Sequence, residues 1–262
     1  MQAVILAAGQ GTRLRPLTDH RPKCLVEVQG KPILQYQLEA LCEAGVRECI
    51  IVIGYRAAQV RSAFGTRFRD LSITYVENDI FDSTNNIYSL WLARRELTED
   101  LLLLEGDLIF ESELLMDLFD LPYENVAVVD RFRPPMNGTV ILAEGDRASA
   151  MVLKLDQSRG FDYGPALKTV NIYRFSHRAV HGELMPALGD YIAQGLTGHF
   201  YEVAIARAIA EGAMQLHVLR TGPRAWAEVD TVGDLVDAER MGFGLTLSLG
   251  ARAGARLSGP SR

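Results

Sequence analysis

Along the first half of the chain, short apolar runs alternate with stretches whose apolar residues recur every three or four positions. Val4-Ile5-Leu6, Glu48 to Gly54 and Leu101 to Leu104 are too short for helices and lack polar alternation, as in strands buried on both faces; Ser72 to Val76 reads as a further strand. Between them, Ile33 to Ala44 carries Leu34, Leu38 and Leu41 at helical spacing and is closed by Gly45. Ala57 to Phe64, Asn86 to Glu96 and Ser112 to Phe119 read as further helices. Strands alternating with helices predict an α/β fold, a mostly parallel sheet with helices on both faces and ligands at the carboxyl ends of its strands.

From Val126 the pattern changes. Val126 to Asp130, Thr139 to Leu142, Ala150 to Leu155 and Thr169 to Tyr173 read as short strands with few helices between them, and Pro134-Pro135 and Asn137-Gly138 supply turns. A smaller antiparallel extension over the mouth of the pocket is the expectation, spanning about residues 126–200. Helices follow over Ala179 to Gln194, Tyr201 to Glu211 and Val232 to Met241. The tail from Gly242 to Arg262, rich in Gly, Ala, Ser and Arg, reads as weakly ordered or as a contact in a homo-oligomer.

Composition narrows the function classes. With 262 residues, 48% of them hydrophobic, the chain can bury the core of one large α/β domain, read as residues 1–241. A formal charge of −6 argues against nucleic acid or an anionic membrane as partner, because either needs a basic face. No stretch reaches the ~18 apolar residues of a membrane span, and the N-terminus reads as a strand rather than a cleavable signal. Cys24, Cys42 and Cys49 are odd in number and lack metal-type spacing, so a reduced, cytoplasmic protein is expected.

Candidate chemistry starts where the first strand ends. Ala7, Ala8, Gly9 and Gly11 carry almost no side chain, so backbone N–H groups can approach an anion, and the glycines can adopt the positive φ of a tight anion-binding turn. Arg13 and Lys23 add two positive charges suited to a triphosphate, with Pro16 and Pro22 stiffening the loop that presents them. Two familiar phosphate loops are excluded. Gly11 is followed by Thr12-Arg13 rather than by Lys-Ser/Thr, and the third glycine of a Gly-x-Gly-x-x-Gly fingerprint is replaced by Leu14.

Three further segments carry polar groups that need a partner. Asn78 and the Ser83-Thr84-Asn85-Asn86 run precede a helix; the run would serve as an ordinary cap, but two adjacent amides exceed what a cap requires and suit the edge of a base. Glu105-Gly106-Asp107 ends an apolar strand in an acid, which calls for a cation unless it merely caps the next helix. Alternation puts Trp226, Glu228 and Asp230 on one face of a strand, where two carboxylates again invite a cation.

Leu6 to Leu14, Pro22-Lys23 and Gly30-Lys31-Pro32-Ile33-Leu34 together resemble the signature of the nucleotidyltransferase superfamily, which makes NDP-sugars and CDP-alcohols from an NTP and a phosphate ester. The resemblance implies a Rossmann-like, GT-A-like nucleotidyltransferase fold and assigns roles residue by residue. Leu6, Ala7, Ala8, Gly9, Gly11, Thr12, Arg13, Lys23, Asn78, Thr84, Asn85, Glu105 and Gly106 would bind the nucleotide, with Asp107 and Asp230 as Mg²⁺ ligands. Arg13, Lys23, Asp107 and Asp230 would carry catalysis, and Lys154, Lys168, Asn171, Tyr173, Tyr201, Glu202 and Glu228 would grip the second substrate.

The Thr84 to Leu90 run resembles the branch that acts on CTP, notably choline-phosphate and phosphonate cytidylyltransferases. A small phosphate or phosphonate would then be the acceptor: phosphocholine, phosphoethanolamine, 2-aminoethyl- or 2-hydroxyethylphosphonate. A sugar-1-phosphate nucleotidylyltransferase shares every motif except the Asn-rich loop. A nucleotide-sensing regulatory subunit would keep the fold but would not need both metal ligands.

Overall fold

The computed structural model describes residues 1–243. Strand β1 (Gln2–Ala7) leads through two 3-10 turns to a small hairpin, β2 (Glu27–Val28) and β3 (Lys31–Pro32), and into helix α1 (Ile33–Glu43). β4 (Glu48–Ile53), α2 (Ala57–Phe64), the short β5 (Arg67–Phe68), β6 (Leu71–Glu77), α3 (Asn86–Ala93) and β7 (Leu101–Glu105) follow. A tight turn joins β7 to β8 (Leu108–Phe110), and α4 (Glu113–Phe119) comes next. The second half supplies β9 (Val126–Arg131), β10 (Val140–Glu144), β11 (Arg147–Val152) and β12 (Leu167–Phe175). It continues with α5 (His177–Ala179), a π-helical stretch over Val180–Leu184, α6 (Met185–Ala193), α7 (Glu202–Ala210), β13 (His217–Arg220), β14 (Trp226–Glu228) and α8 (Val232–Met241).

Ten strands form one sheet in the order β10-β11-β13-β9-β12-β7-β1-β4-β6-β5. β7, β1, β4 and β6 are parallel, which explains their unbroken apolar sequences. In β1, Ala3, Ile5 and Ala7 pack with Leu34, Leu38 and Leu41 of α1, whereas Val4 and Leu6 pack on the other face with Ile87 and Leu90 of α3 and with α6 and α7. A third apolar cluster joins Leu14 of the first loop to Ile33, Ile109, Val229 and Ala238, fixing that loop against α8.

The antiparallel strands of the second half continue the parallel sheet edge to edge, because β12 pairs with β7. An added β10–β12 pairing closes β12, β9, β13, β11 and β10 into a ring. Five strands were not foreseen: the two-residue β2, β3 and β5, and also β8 and β13. β8 has only three residues, and β13, parallel to β9, offers just Val218 and Leu219 between polar ends. The helix expected over 86–96 ends at Ala93. Of the tail, residues 244–262 lie outside the described residues, but Gly242 caps α8 at φ 71° and Phe243 is buried, its ring edge-on to Tyr36 at 6.5 Å. Those two positions belong to the fold because a buried aromatic anchors them. Among the described residues, no helix is long and apolar enough to cross a membrane.

Candidate active site

The loop after β1 leaves its backbone donors free. Among the described residues, the N–H groups of Gly9 through Arg13 donate to no protein acceptor, so consecutive donors line the end of β1. Gly11 makes the turn: its φ is 63°, and a Cβ there would lie 2.9 Å from Lys23 Cβ. Thr18 Oγ1 braces it by donating to Gly11 O at 2.8 Å. Gly9, in contrast to expectation, does not take positive φ; with nothing within 4 Å of a Cβ there, its bareness simply keeps the cleft open.

Asp107 does not sit at the end of a strand. It lies in the turn between β7 and β8, and that turn fits only because Gly106 has no Cβ, which would meet Leu6 O at 2.8 Å. β8 then pairs with β14, Leu108 opposite Glu228, and Val229 N donates to Asp107 O at 2.9 Å. This ladder fixes Asp107 beside Asp230. Downstream, Asp234 accepts from the N–H groups of Asp230 and Thr231 at 3.1 and 2.7 Å, a capping box that orients Asp230.

The Lys23 ammonium bridges the two acids, 2.6 Å from both Asp107 Oδ2 and Asp230 Oδ1, and Arg13 reaches Asp230 at 2.9 Å. Burial works against the Lys23 charge, but Asp107 and Asp230 more than offset it and hold the ammonium above its ordinary pKa. Burial likewise raises Asp230, yet Lys23 and Arg13 bring its carboxyl below the usual value. Glu105, half-buried near Asp107, Glu202 and Glu228, is pushed well up by desolvation and by those negative neighbours.

The donor set fits a hard divalent cation. Asp107, Glu228 and Asp230 each offer a carboxylate oxygen within 4.8 Å of the others, and Asp107 Oδ1 is buried without a hydrogen-bond partner among the described residues. Oxygen ligands of this kind are what Mg²⁺ takes.

All thirteen residues assigned to the nucleotide line one cleft of about 260 Å³. The Asn-rich segment is placed there, but its amides are largely spent inside the protein. Asn78, 1% exposed, donates to Thr84 Oγ1 and Ser89 Oγ, both at 3.1 Å, and accepts from Ile80 N. Asn85 accepts from Asn86 N as the α3 cap, its Nδ2 holding Gly198 O at a loose 3.4 Å. Asn86 spans Glu105 Oε1 and Tyr201 N. Cys24, Phe81, Asn86, Ser89 and Phe200 also line the cleft. Phe81 and Phe200 carried no sequence signal beyond being aromatic in loops.

A second cavity of about 710 Å³ meets the first at Arg13 and Asp230. Of the residues expected to hold the second substrate, Lys168 and Glu228 line it, 3.4 Å apart. The others line neither cavity. Lys154 lies to one side, donating to Asn137 Oδ1 at 2.9 Å. Tyr173 and Tyr201 are fully buried, edge to face at 5.9 Å, because they fill the core where β12 meets α7. Asn171 sits buried on a bulge of β12 at φ 61°, and Glu202 is buried at the start of α7. Sequence reasoning missed Asp130, Arg133 and the Pro134 to Asn137 turn as walls of this cavity. Trp226 Nε1 donates to Asp130 at 3.1 Å and Arg133 pairs with Asp130 at 2.7 Å.

With this geometry in hand, relatives are informative. The chain is 36% identical over 241 residues to the CMP-5'-(3-aminopropyl)phosphonate synthase of Streptomyces rubellomurinus, covering 91% of this chain and 38% of that protein. It is 34% identical over 163 residues to the choline-phosphate cytidylyltransferase of Streptococcus pneumoniae, covering 61% of this chain and 66% of that protein. The chain thus spans less than two thirds of either relative's length. The solved CTP:phosphocholine cytidylyltransferase of Streptococcus pneumoniae superposes with a TM-score of 0.72 at 23% identity, over 92% of this chain and 98% of that one, and so shares its fold. Residues 3–162, more than half of the chain, match the MobA-like NTP transferase domain, and the chain belongs to that family.

Proposed function

We propose that this protein is a Mg²⁺-dependent cytidylyltransferase that transfers CMP from CTP to a small phosphate or phosphonate. The acceptor's anionic oxygen attacks the α-phosphorus in line, one P–O bond forms, the bond to the β-phosphate breaks, and pyrophosphate leaves. An acceptor oxygen already ionised at pH 7 needs no general base. The observation that carries the reading is the meeting of two cavities at Arg13 and Asp230, so that two substrates would bring their reacting ends together beside Lys23 and Asp107.

The free N–H groups of Gly9 to Arg13 would hold the β- and γ-phosphates, and Arg13 and Lys23 would stabilise the charge of the departing pyrophosphate. Asp107, Asp230 and Glu228 would hold Mg²⁺, which supplies Lewis-acid neutralisation of the phosphate charge when bound. With the Asn78 side chain committed inside the loop, recognition of cytosine falls to the Asn85 amide and to backbone groups of the 79–86 loop. Two relatives whose names record CMP transfer to an aminoalkyl phosphonate and to choline phosphate support an acceptor with a cationic end.

A pyrophosphate-release screen of four NTPs against phosphocholine, phosphoethanolamine, 2-aminoethyl- and 2-hydroxyethylphosphonate and glucose 1-phosphate tests this. Turnover with CTP and one of the first four is expected, favoured over UTP by roughly ten- to hundredfold in kcat/KM. Faster turnover of UTP or dTTP with glucose 1-phosphate would replace it with sugar-nucleotide synthesis.

A further inference from the structure

Gln37 is the one polar side chain on the sheet-facing side of α1 that is fully buried, and it does not touch either cavity. Its Nε2 donates twice, to Glu105 O and to Leu108 O, each at 2.8 Å. Those carbonyls flank the Gly106-Asp107 turn. The remaining backbone contacts of the turn come from other directions: Gly106 N donates to Leu6 O at 2.9 Å, and Asp107 O accepts from Val229 N at 2.9 Å. The turn is therefore hydrogen-bonded from β1, from the segment leading to Asp230 and from α1, and the hydrogen bonds from α1 come from a single side chain.

That contact is costly for the core. Gln37 Oε1 is buried with no hydrogen-bond partner among the described residues, so the amide leaves one polar atom unsatisfied where a leucine would leave none on its own side. Both Nε2 protons, however, are aimed at the turn that carries Asp107. We propose that Gln37 is a positioning residue that clamps the Asp107 turn from behind and so sets the geometry of the carboxylate cluster with Glu228 and Asp230. The inference rests on the metal-dependent reading above. A side chain that orients a metal-binding carboxylate through its backbone behaves as an outer-shell partner, whose loss typically weakens metal affinity about 10–100-fold.

Two variants of the full chain test the clamp: Gln37→Met, which keeps length but has no donors, and Gln37→Asn, which keeps the amide one methylene short. Mn²⁺ binding, followed by electron paramagnetic resonance with CTP present and no acceptor, is expected to weaken about tenfold or more in Gln37→Met and less in Gln37→Asn. CTP affinity measured without metal should stay within about twofold of wild type, since the glycine loop is untouched. An unchanged Mn²⁺ affinity alongside a lowered melting temperature would reduce Gln37 to a structural role and overturn the proposal. Should neither variant fold, Mg²⁺ titration of the wild-type protein decides: the Gln37 side-chain amide resonances are expected to shift, and resonances that stay fixed while Mg²⁺ binds would sink the clamp. A wild type that transfers no nucleotide to any acceptor would fail the functional reading instead, and the Mn²⁺ and resonance measurements would still judge Gln37.

Discussion

The two ends of the site are made from different materials. The phosphate end is backbone, a contiguous loop of Ala7, Ala8, Gly9 and the left-handed Gly11 whose N–H groups from Gly9 to Arg13 are unpaired among the described residues. The second cavity is side chain, drawn from Arg13, Asp130 to Asn137, Lys168 and Gly222 to Met241. A backbone site depends on local conformation, which a short sequence specifies. A side-chain site depends on strand register and on pairing across hundreds of residues, so it changes substrate by small substitutions while the phosphate end stays fixed.

The largest effects should fall where the two ends meet. Asp107→Asn or Asp230→Asn is expected to lower pyrophosphate release at saturating Mg²⁺ by at least about 10²–10³-fold, because a neutral amide neither replaces an anionic ligand nor balances Lys23. Near-wild-type turnover in both variants would remove the carboxylates from the chemistry. Circular dichroism should show the fold retained.

Next comes a contrast within the glycine loop. Gly11→Ala forces a side chain into the left-handed region and against Lys23, so it should lose about 1–3 kcal/mol of stability and reduce kcat/KM roughly tenfold or more. Gly9→Ala, with open space around its Cβ, should change stability by less than about 0.5 kcal/mol while raising the KM for CTP. Equal melting temperatures for the two variants would show that the turn at Gly11 is not strained as its φ implies.

This contrast also explains what could be read from the chain. The parallel strands, α1, α2 and α8 were legible because their apolar spacing is local, and the glycine loop because its small residues are consecutive. Asp107 was legible as an acid beside the loop but not as a turn residue, since β8 is only three residues long and is defined by its partner β14. The amide segment was legible as part of the cleft but not in its internal bonding: Asn78 has the donors and acceptor a base would want, but Thr84, Ser89 and Ile80 N consume them. Tyr173 and Tyr201 were assigned to the second substrate by the resemblance alone, with no pattern of their own in the sequence. Only packing shows that they close the core between β12 and α7. Asp130 and Arg133 were invisible because nothing before the fold brings residue 130 to Trp226.

A smaller effect tests the acceptor end alone. Trp226→Phe keeps an aromatic wall but removes the Nε1 bond to Asp130, which should raise the acceptor KM about two- to tenfold. The KM for CTP should not move. The opposite pattern, a raised CTP KM with the acceptor KM unchanged, would exchange the substrates between the two cavities.

The smallest expected effect on turnover, and the one that probes the layer beneath both cavities, concerns Glu202. It is 5% exposed, and burial raises its carboxyl from 4.5 to about 7, although its own backbone hydrogen bond and the neighbouring Lys168 pull the other way. The sign follows from proton counting. Between pH 4.5 and about 7 the folded state keeps a proton that the unfolded chain has released, so stability declines as pH rises through that window and levels off above it. A shift of this size corresponds to roughly 3 kcal/mol. Glu202→Gln carries no titrating group and keeps an acceptor for Thr139 Oγ1, now 3.3 Å from Oε1. Denaturant unfolding at pH 5 and pH 8 should therefore show the variant close to wild type at the lower pH and more stable at the higher one. Parallel pH profiles for the two proteins would mean that Glu202 stays ionised in the folded state beside Lys168, and that the layer under the cavities is an ion pair rather than a neutral acid.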